Sequence, residues 1–130
     1  MFFNYFKWGL LWSLFILIIC LLPGNNLPKN TFLEDIYFDK IIHVFLYMVL
    51  FILAFLGANK MTKHSFLVAF IYSFFYGVLV ELIQQYLIED RYGDINDVFA
   101  NFFGVIFGII FVKIKKKYKT IEPLDNLGLK

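Results

Sequence analysis

Four long apolar runs constrain this chain more than any other feature. Residues 8–22 hold no charged side chain, and residues 41–58 are polar only at His43 and the Tyr47 hydroxyl. Residues 65–88 carry the acid and amides Glu81, Gln84 and Gln85, and residues 95–112 carry Asn96, Asp97 and Asn101. A helix rises 1.5 Å per residue and needs about 20 apolar residues to cross the ~30 Å hydrocarbon core of a bilayer. These runs approach or reach that length. They are continuous rather than alternating, which selects helices over the strands of a membrane barrel. A water-soluble domain is excluded by the same residues. With 61% hydrophobic residues and a mean hydropathy of +0.73, the chain lacks the polar side chains to cover a domain of 130 residues. The expectation is an all-α polytopic membrane protein, with transmembrane helices at about 3–22, 41–58, 65–88 and 95–112 in an antiparallel bundle. Residues 1–117 form the membrane domain, and 118–130, which contain Pro, Gly and Asn without a period, are expected to be a mobile tail.

Charge sets the orientation. Nine of the twelve basic residues (Lys7, Lys60, Lys63, Lys113, Lys115, Lys116, Lys117, Lys119 and Lys130) fall on one side of this arrangement, and Lys29, Lys40 and Arg91 on the other. The positive-inside rule then places both termini of a multi-pass membrane protein in the cytoplasm. The net charge of +2 does not indicate nucleic acid, and the lysine cluster directly after an apolar run reads as membrane-flanking. The first run is followed by Pro23-Gly24-Asn25-Asn26 without a small-x-small cleavage pattern, so it reads as a retained helix rather than a signal peptide. Thr31-Phe32-Leu33-Glu34 matches a capping box and predicts a short helix at the outer interface. Tyr5, Trp8 and Trp12 read as an interfacial belt. Cys20, the single cysteine, cannot form an internal disulfide and reads as a small buried hydrophobe.

Ionisable groups within the spans need a physical reason, because each costs about 2.5–3.5 kcal/mol or more at the bilayer centre. Their depths agree. His43 lies one turn inside Asp39, at roughly 6 Å, while Glu81 and Asn101 each lie seven residues inside the outer ends of their helices, at roughly 10 Å. They also fall on single helix faces. Asp39, His43 and Tyr47 form one stripe. Ala69, Ser73, Gly77, Glu81 and Gln85 form a second, with Gln84 beside it. Asp94, Asp97, Asn101, Gly104 and Gly108 form a third. Such stripes should face the bundle interior. Gly104-x-x-x-Gly108 permits close backbone approach, which equally suits an internal contact or a homodimer, and Gly77 is expected to serve packing in the same way.

The constellation resembles the VanZ-like family of small bacterial membrane proteins. The resemblance is carried by Asp39-Lys40-x-x-His43, by Glu81-x-x-Gln84 and by Arg91-x-x-Asp94-x-x-Asp97-x-x-x-Asn101-x-x-Gly104-x-x-x-Gly108. It covers residues 11–112. The family often has Pro just before the Arg, where this chain has Leu87-Ile88-Glu89-Asp90. The resemblance implies a cell-membrane protein linked, through the family's founding member, to low-level resistance to the glycopeptide teicoplanin.

Two readings of the cluster stand. In one, the polar groups hydrogen-bond across helices and fix the packing register, and the protein is a non-enzymatic structural or partner-binding factor. In the other, Asp39, Lys40, His43, Glu81, Gln84, Arg91, Asp94, Asp97 and Asn101 form an outward-facing site for an anionic lipid head group or a lipid-linked cell-wall precursor. Lys40 and Arg91 would then hold phosphate or carboxylate at the rim. His43, Glu81 and Asp97 are the candidates for proton transfer if the site is catalytic. No serine nucleophile constellation and no Gly-rich phosphate loop occurs, so no reaction can be named. His43, Glu81, Asp94 and Asp97 offer one nitrogen and several oxygens. With no His-x-x-x-His and no Cys pair, no metal and no cofactor is expected. A proton-coupled exporter is disfavoured, because the polar groups occupy the outer half only.

Overall fold

A computed structural model describes residues 2–21, 32–87 and 95–125, with side chains for 5–21, 38–87 and 95–117. It contains four helices, α1 (Phe2–Cys20), α2 (Phe32–Ala58), α3 (Ser65–Leu87) and α4 (Ile95–Asp125). In an apolar solvent every backbone polar group must be satisfied within the chain, and helices do this segment by segment. Three segments, Phe38–Ala58, Ser65–Leu87 and Ile95–Lys117, are long and apolar enough to cross a membrane. The helix α1 is shorter. Its 19 residues rise only ~28 Å, just short of the hydrocarbon thickness.

Two helices outrun their expected limits. The helix α2 starts at Phe32 rather than at 41, so the short helix expected near Thr31 is continuous with it. Thr31 itself, and the side chain of Glu34, lie outside the described residues. The helix α4 continues past 112 through the lysines to Asp125. Apolar runs end at the first charges, but helical hydrogen bonds do not, and lysine is a good helix former.

The helix α2 is the centre of the assembly and packs against α1, α3 and α4. Contacts between α1 and α2 descend in opposite directions along the chain: Trp12 Nε1 donates to the Leu46 carbonyl at 2.9 Å, and Gly57 faces the Phe6 backbone. Between α2 and α4 they ascend together, with Val44 and Met48 at Gly104 and Phe51 at Gly108. The core joins Ile16, Leu46, Tyr47, Leu50, Phe51, Val80 and Val105. Outside it, Leu14, Phe75, Leu79, Phe103 and Phe107 are half or more exposed, so the outer surface is as apolar as the interior. That inverts the polar exterior of a soluble bundle and suits a lipid surround.

Glycine decides how closely α4 meets α2. A Cβ on Gly104 would stand 2.3 Å from the Val44 carbonyl oxygen, and one on Gly108 would stand 2.8 Å from Phe51 Cδ1. The Gly104-x-x-x-Gly108 face is therefore filled by α2 of the same chain. At the lysine-rich end, Lys116 Nζ lies over the Phe55 and Phe66 rings at 4.8 and 5.2 Å and donates to Asn59 Oδ1 at 3.4 Å. Lys60 lies 5.8 Å over the Tyr5 ring. These cation–π contacts tie α4, the α2–α3 turn and α1 together at one end.

Candidate functional site

At the opposite end, α2, α3 and α4 bring their polar stripes together. His43, Glu81, Gln84, Asp97 and Asn101 are all buried. On α2, the i,i+4 spacing stacks Asp39 above His43, with Asp39 Oδ1 3.9 Å from His43 Nε2. On the other side of the ring, His43 Nδ1 lies 2.9 Å from Asn101 Oδ1 on α4 and 3.8 Å from Glu81 Oε1 on α3. Both neighbours of Nδ1 are oxygens, so in the neutral ring Nδ1 carries the hydrogen and donates to Asn101. The Nε2 lone pair is then left facing the Asp39 side. Lys40 forms an ion pair with Asp97 on α4, and its Nζ also lies 4.0 Å from Asp39 Oδ2.

Below this layer several buried polar atoms lack a hydrogen bond of ordinary geometry. Both Glu81 oxygens, Asn101 Nδ2, the Tyr47 hydroxyl and Ser73 Oγ are buried without a hydrogen-bond partner among the described residues. Gly77 makes room for two of these side chains: a Cβ there would stand 3.1 Å from Tyr47 Cε1 and 3.3 Å from Asn101 Nδ2. Buried polar groups are ordinarily paired, directly or through water.

The sequence-derived site is thus partly assembled. Asp39, Lys40, His43, Glu81, Asp97 and Asn101 form one cluster. Arg91 and Asp94 lie outside the described residues. Gln84 is buried but turns to α1, where its Nε2 donates to the Cys20 carbonyl at 2.6 Å. Gln85, placed on the Glu81 stripe by i+4 spacing, is exposed. Lys40, expected at the rim to hold a phosphate or carboxylate, forms an ion pair with Asp97. Trp12, expected in the interfacial belt, instead points its indole N–H into α2, whereas Trp8 is exposed. Tyr47 and Ser73 were legible as members of polar stripes, but the isolation of their hydroxyls depends on neighbours from other helices.

Possible metal donors gather in a set that shares His43 and Asp97 with the one weighed in the sequence. Single donor atoms of Asp39, His43 and Asp97 all lie within 4.8 Å of one another. No local motif announces this, because the third donor comes from another helix. A cavity of about 410 Å³ lies elsewhere, between α1, α2 and α3, lined by apolar groups such as Phe6, Leu53 and Ala54. It shares no residue with the polar cluster.

A family model described as VanZ/LLP1 matches residues 2–116, most of the chain. No curated protein and no solved structure matches it.

Proposed function

Since the chain belongs to the VanZ/LLP1 family, we propose that it is a membrane protein whose polar end binds the head group of an anionic lipid or a lipid-linked cell-wall intermediate at the cell envelope. In this reading all four helices cross the cytoplasmic membrane in alternating directions. The lysine-rich end and both termini are cytoplasmic, and the His43–Glu81–Asp97 end opens outward.

One observation carries the reading. Three helices each bury an ionisable side chain at the same end, and the most buried carboxylate, Glu81, has no hydrogen-bond partner among the described residues. Interhelical hydrogen bonds in membranes average about 0.6 kcal/mol. That return is small against the cost of burying a carboxylate, which reaches about 2.5–3.5 kcal/mol at the bilayer centre and is less for a paired group nearer the outer face. Gln84 is the exception within the group. Its bond to the Cys20 carbonyl is a structural role, and it drops out of the ligand-contacting set.

An outward head-group site at the envelope is the feature through which a protein of this family could alter glycopeptide susceptibility. The test is cellular. Wild type, Glu81→Gln, His43→Ala and Arg91→Ala are expressed in a sensitive Gram-positive host, membrane levels are matched, and susceptibility to teicoplanin and other lipid II-binding antibiotics is measured. Protection by the wild type that the variants lose at equal abundance is the expected result. Full protection by both Glu81→Gln and His43→Ala would reject the polar end as the working site. No protection by the wild type would separate this protein from glycopeptide response.

A further inference from the structure

We propose that Asp39, His43 and Asp97 bind a divalent cation of the Mn²⁺ or Zn²⁺ class, which supplies the positive charge that an anionic head group needs at this end of the bundle. The inference deepens the head-group reading and rests on it only for the second clause.

The described cluster contains three carboxylates, Asp39, Glu81 and Asp97, and its lysine, Lys40, is already engaged by Asp97. With the carboxylates ionised, an anion approaching this surface meets repulsion unless a cation bridges them. The donors to hold one are already neighbours. The donor atoms of Asp39, His43 and Asp97 converge within 4.8 Å, and Asp39 Oδ1 stands 3.9 Å from His43 Nε2. Modest side-chain movement closes such a set onto one ion.

Two further observations point the same way. First, the imidazole is oriented from behind. Its Nδ1 lies 2.9 Å from Asn101 Oδ1, which leaves Nε2 on the Asp39 side, 3.9 Å from Asp39 Oδ1. Metal-bound histidines characteristically donate their other ring N–H to an oxygen in this manner. Second, Glu81, only 5% exposed, places Oε1 3.8 Å from the same Nδ1, so a carboxylate backs the ring as well. Lys40 marks the electrostatic character of the spot, because its ammonium sits between Asp97 and Asp39. One imidazole with two carboxylates favours a transition ion over Mg²⁺ or Ca²⁺, and three protein donors leave open positions for water or a phosphate oxygen.

The test uses the purified full chain in lipid-free detergent, titrated with Mn²⁺ by electron paramagnetic resonance and with Zn²⁺ by calorimetry. Helicity is checked for every variant. One ion per chain is expected. His43→Ala and Asp97→Asn should abolish stoichiometric binding. Asn101→Leu, which removes the orienting acceptor, should weaken it by about 10–100-fold. Lys40→Met should tighten it, because the competing ammonium is gone. Tightening cannot arise from misfolding, so this variant keeps the test decisive. Absence of stoichiometric binding in both the wild type and Lys40→Met overturns the site, as does unchanged affinity in folded His43→Ala. The second clause is read separately, from retention of phosphatidylglycerol vesicles with and without chelator. Retention that disappears with chelator supports it, and retention indifferent to chelator rejects the ion's part while sparing the head-group reading. Ion binding with no lipid retention rejects the second clause and leaves the metal site standing.

Discussion

Gly104 lies so close to Val44 that a Cβ added to it would stand 2.3 Å from the Val44 carbonyl oxygen. The obstructing atom belongs to the α2 backbone and cannot rotate away, so the two helices would have to separate. Gly104→Ala is expected to destabilise the bundle by about 1–3 kcal/mol, the usual cost of overpacking. At Gly108 the first obstruction is the Phe51 ring edge, at 2.8 Å, which can tilt, so Gly108→Ala should cost less. Gly9 has nothing within 4 Å of its added Cβ, and Gly9→Ala should cost nothing. Unfolding in mixed detergent micelles should rank the three in that order, and equal midpoints for Gly104→Ala and Gly9→Ala would reject the close approach.

Gln84 secures the end of α1. The last carbonyls of a helix have no partner in their own helix, and Gln84 Nε2 donates to the Cys20 carbonyl at 2.6 Å. Gln84→Leu is expected to cost about 0.6–1.7 kcal/mol, the range of interhelical hydrogen bonds in membranes. Cys20, only 3% exposed, supplies a local reporter. Its reaction with a small maleimide in detergent should accelerate in Gln84→Leu. An unchanged labelling rate would mean that the bond does not hold this helix end.

The contrast between Gln84 and His43 shows what the sequence could and could not reveal. His43, Glu81, Asp97 and Asn101 were legible because the helical period and the depth below each helix end converge on one layer, and the structure joins them. That argument uses only position along a helix. It cannot say which of two adjacent polar residues turns inward, so Gln84 and Gln85 stayed ambiguous until α1 supplied a carbonyl for one of them. The partner of Lys40 was hidden for a related reason. That partner, Asp97, comes from α4, and only the meeting of α2 with α4 decides that the lysine charge is spent internally. Helix limits failed where hydropathy was asked to mark them. The expected start of α2 at 41 and end of α4 at 112 are where charges begin, and the backbone continues through both.

The seam between α1 and α3 is thin, and besides the Gln84–Cys20 bond it is held at Ser13. Tyr72 Oη and Ser13 Oγ are 2.7 Å apart, while Tyr76 Oη donates to the Ser13 backbone carbonyl at 2.5 Å. The two tyrosines should therefore behave differently in double-mutant cycles. Ser13→Ala removes the hydroxyl that Tyr72 meets but leaves the carbonyl that Tyr76 meets. A coupling of about 0.6 kcal/mol is expected between Ser13→Ala and Tyr72→Phe. Ser13→Ala and Tyr76→Phe should be close to additive. Strong coupling in the second pair and none in the first would reverse the assignment.

The proposed orientation makes a prediction at the two ends of α2. Phe38 is 66% exposed beside Asp39 in the polar cluster, and Met61 is 74% exposed just past the other end, next to Lys60. In a Cys20→Ala background, Phe38→Cys should react with a membrane-impermeant maleimide in intact cells. Met61→Cys should react only after the membrane is opened. The physical ground is the lysine distribution, since Lys60, Lys63 and the α4 lysines gather at the Met61 end, and cationic flanks are retained on the cytoplasmic side. The opposite labelling pattern would turn the bundle over. The His43–Glu81–Asp97 cluster would then face the cytoplasm, and any head group it binds would have to come from the inner leaflet.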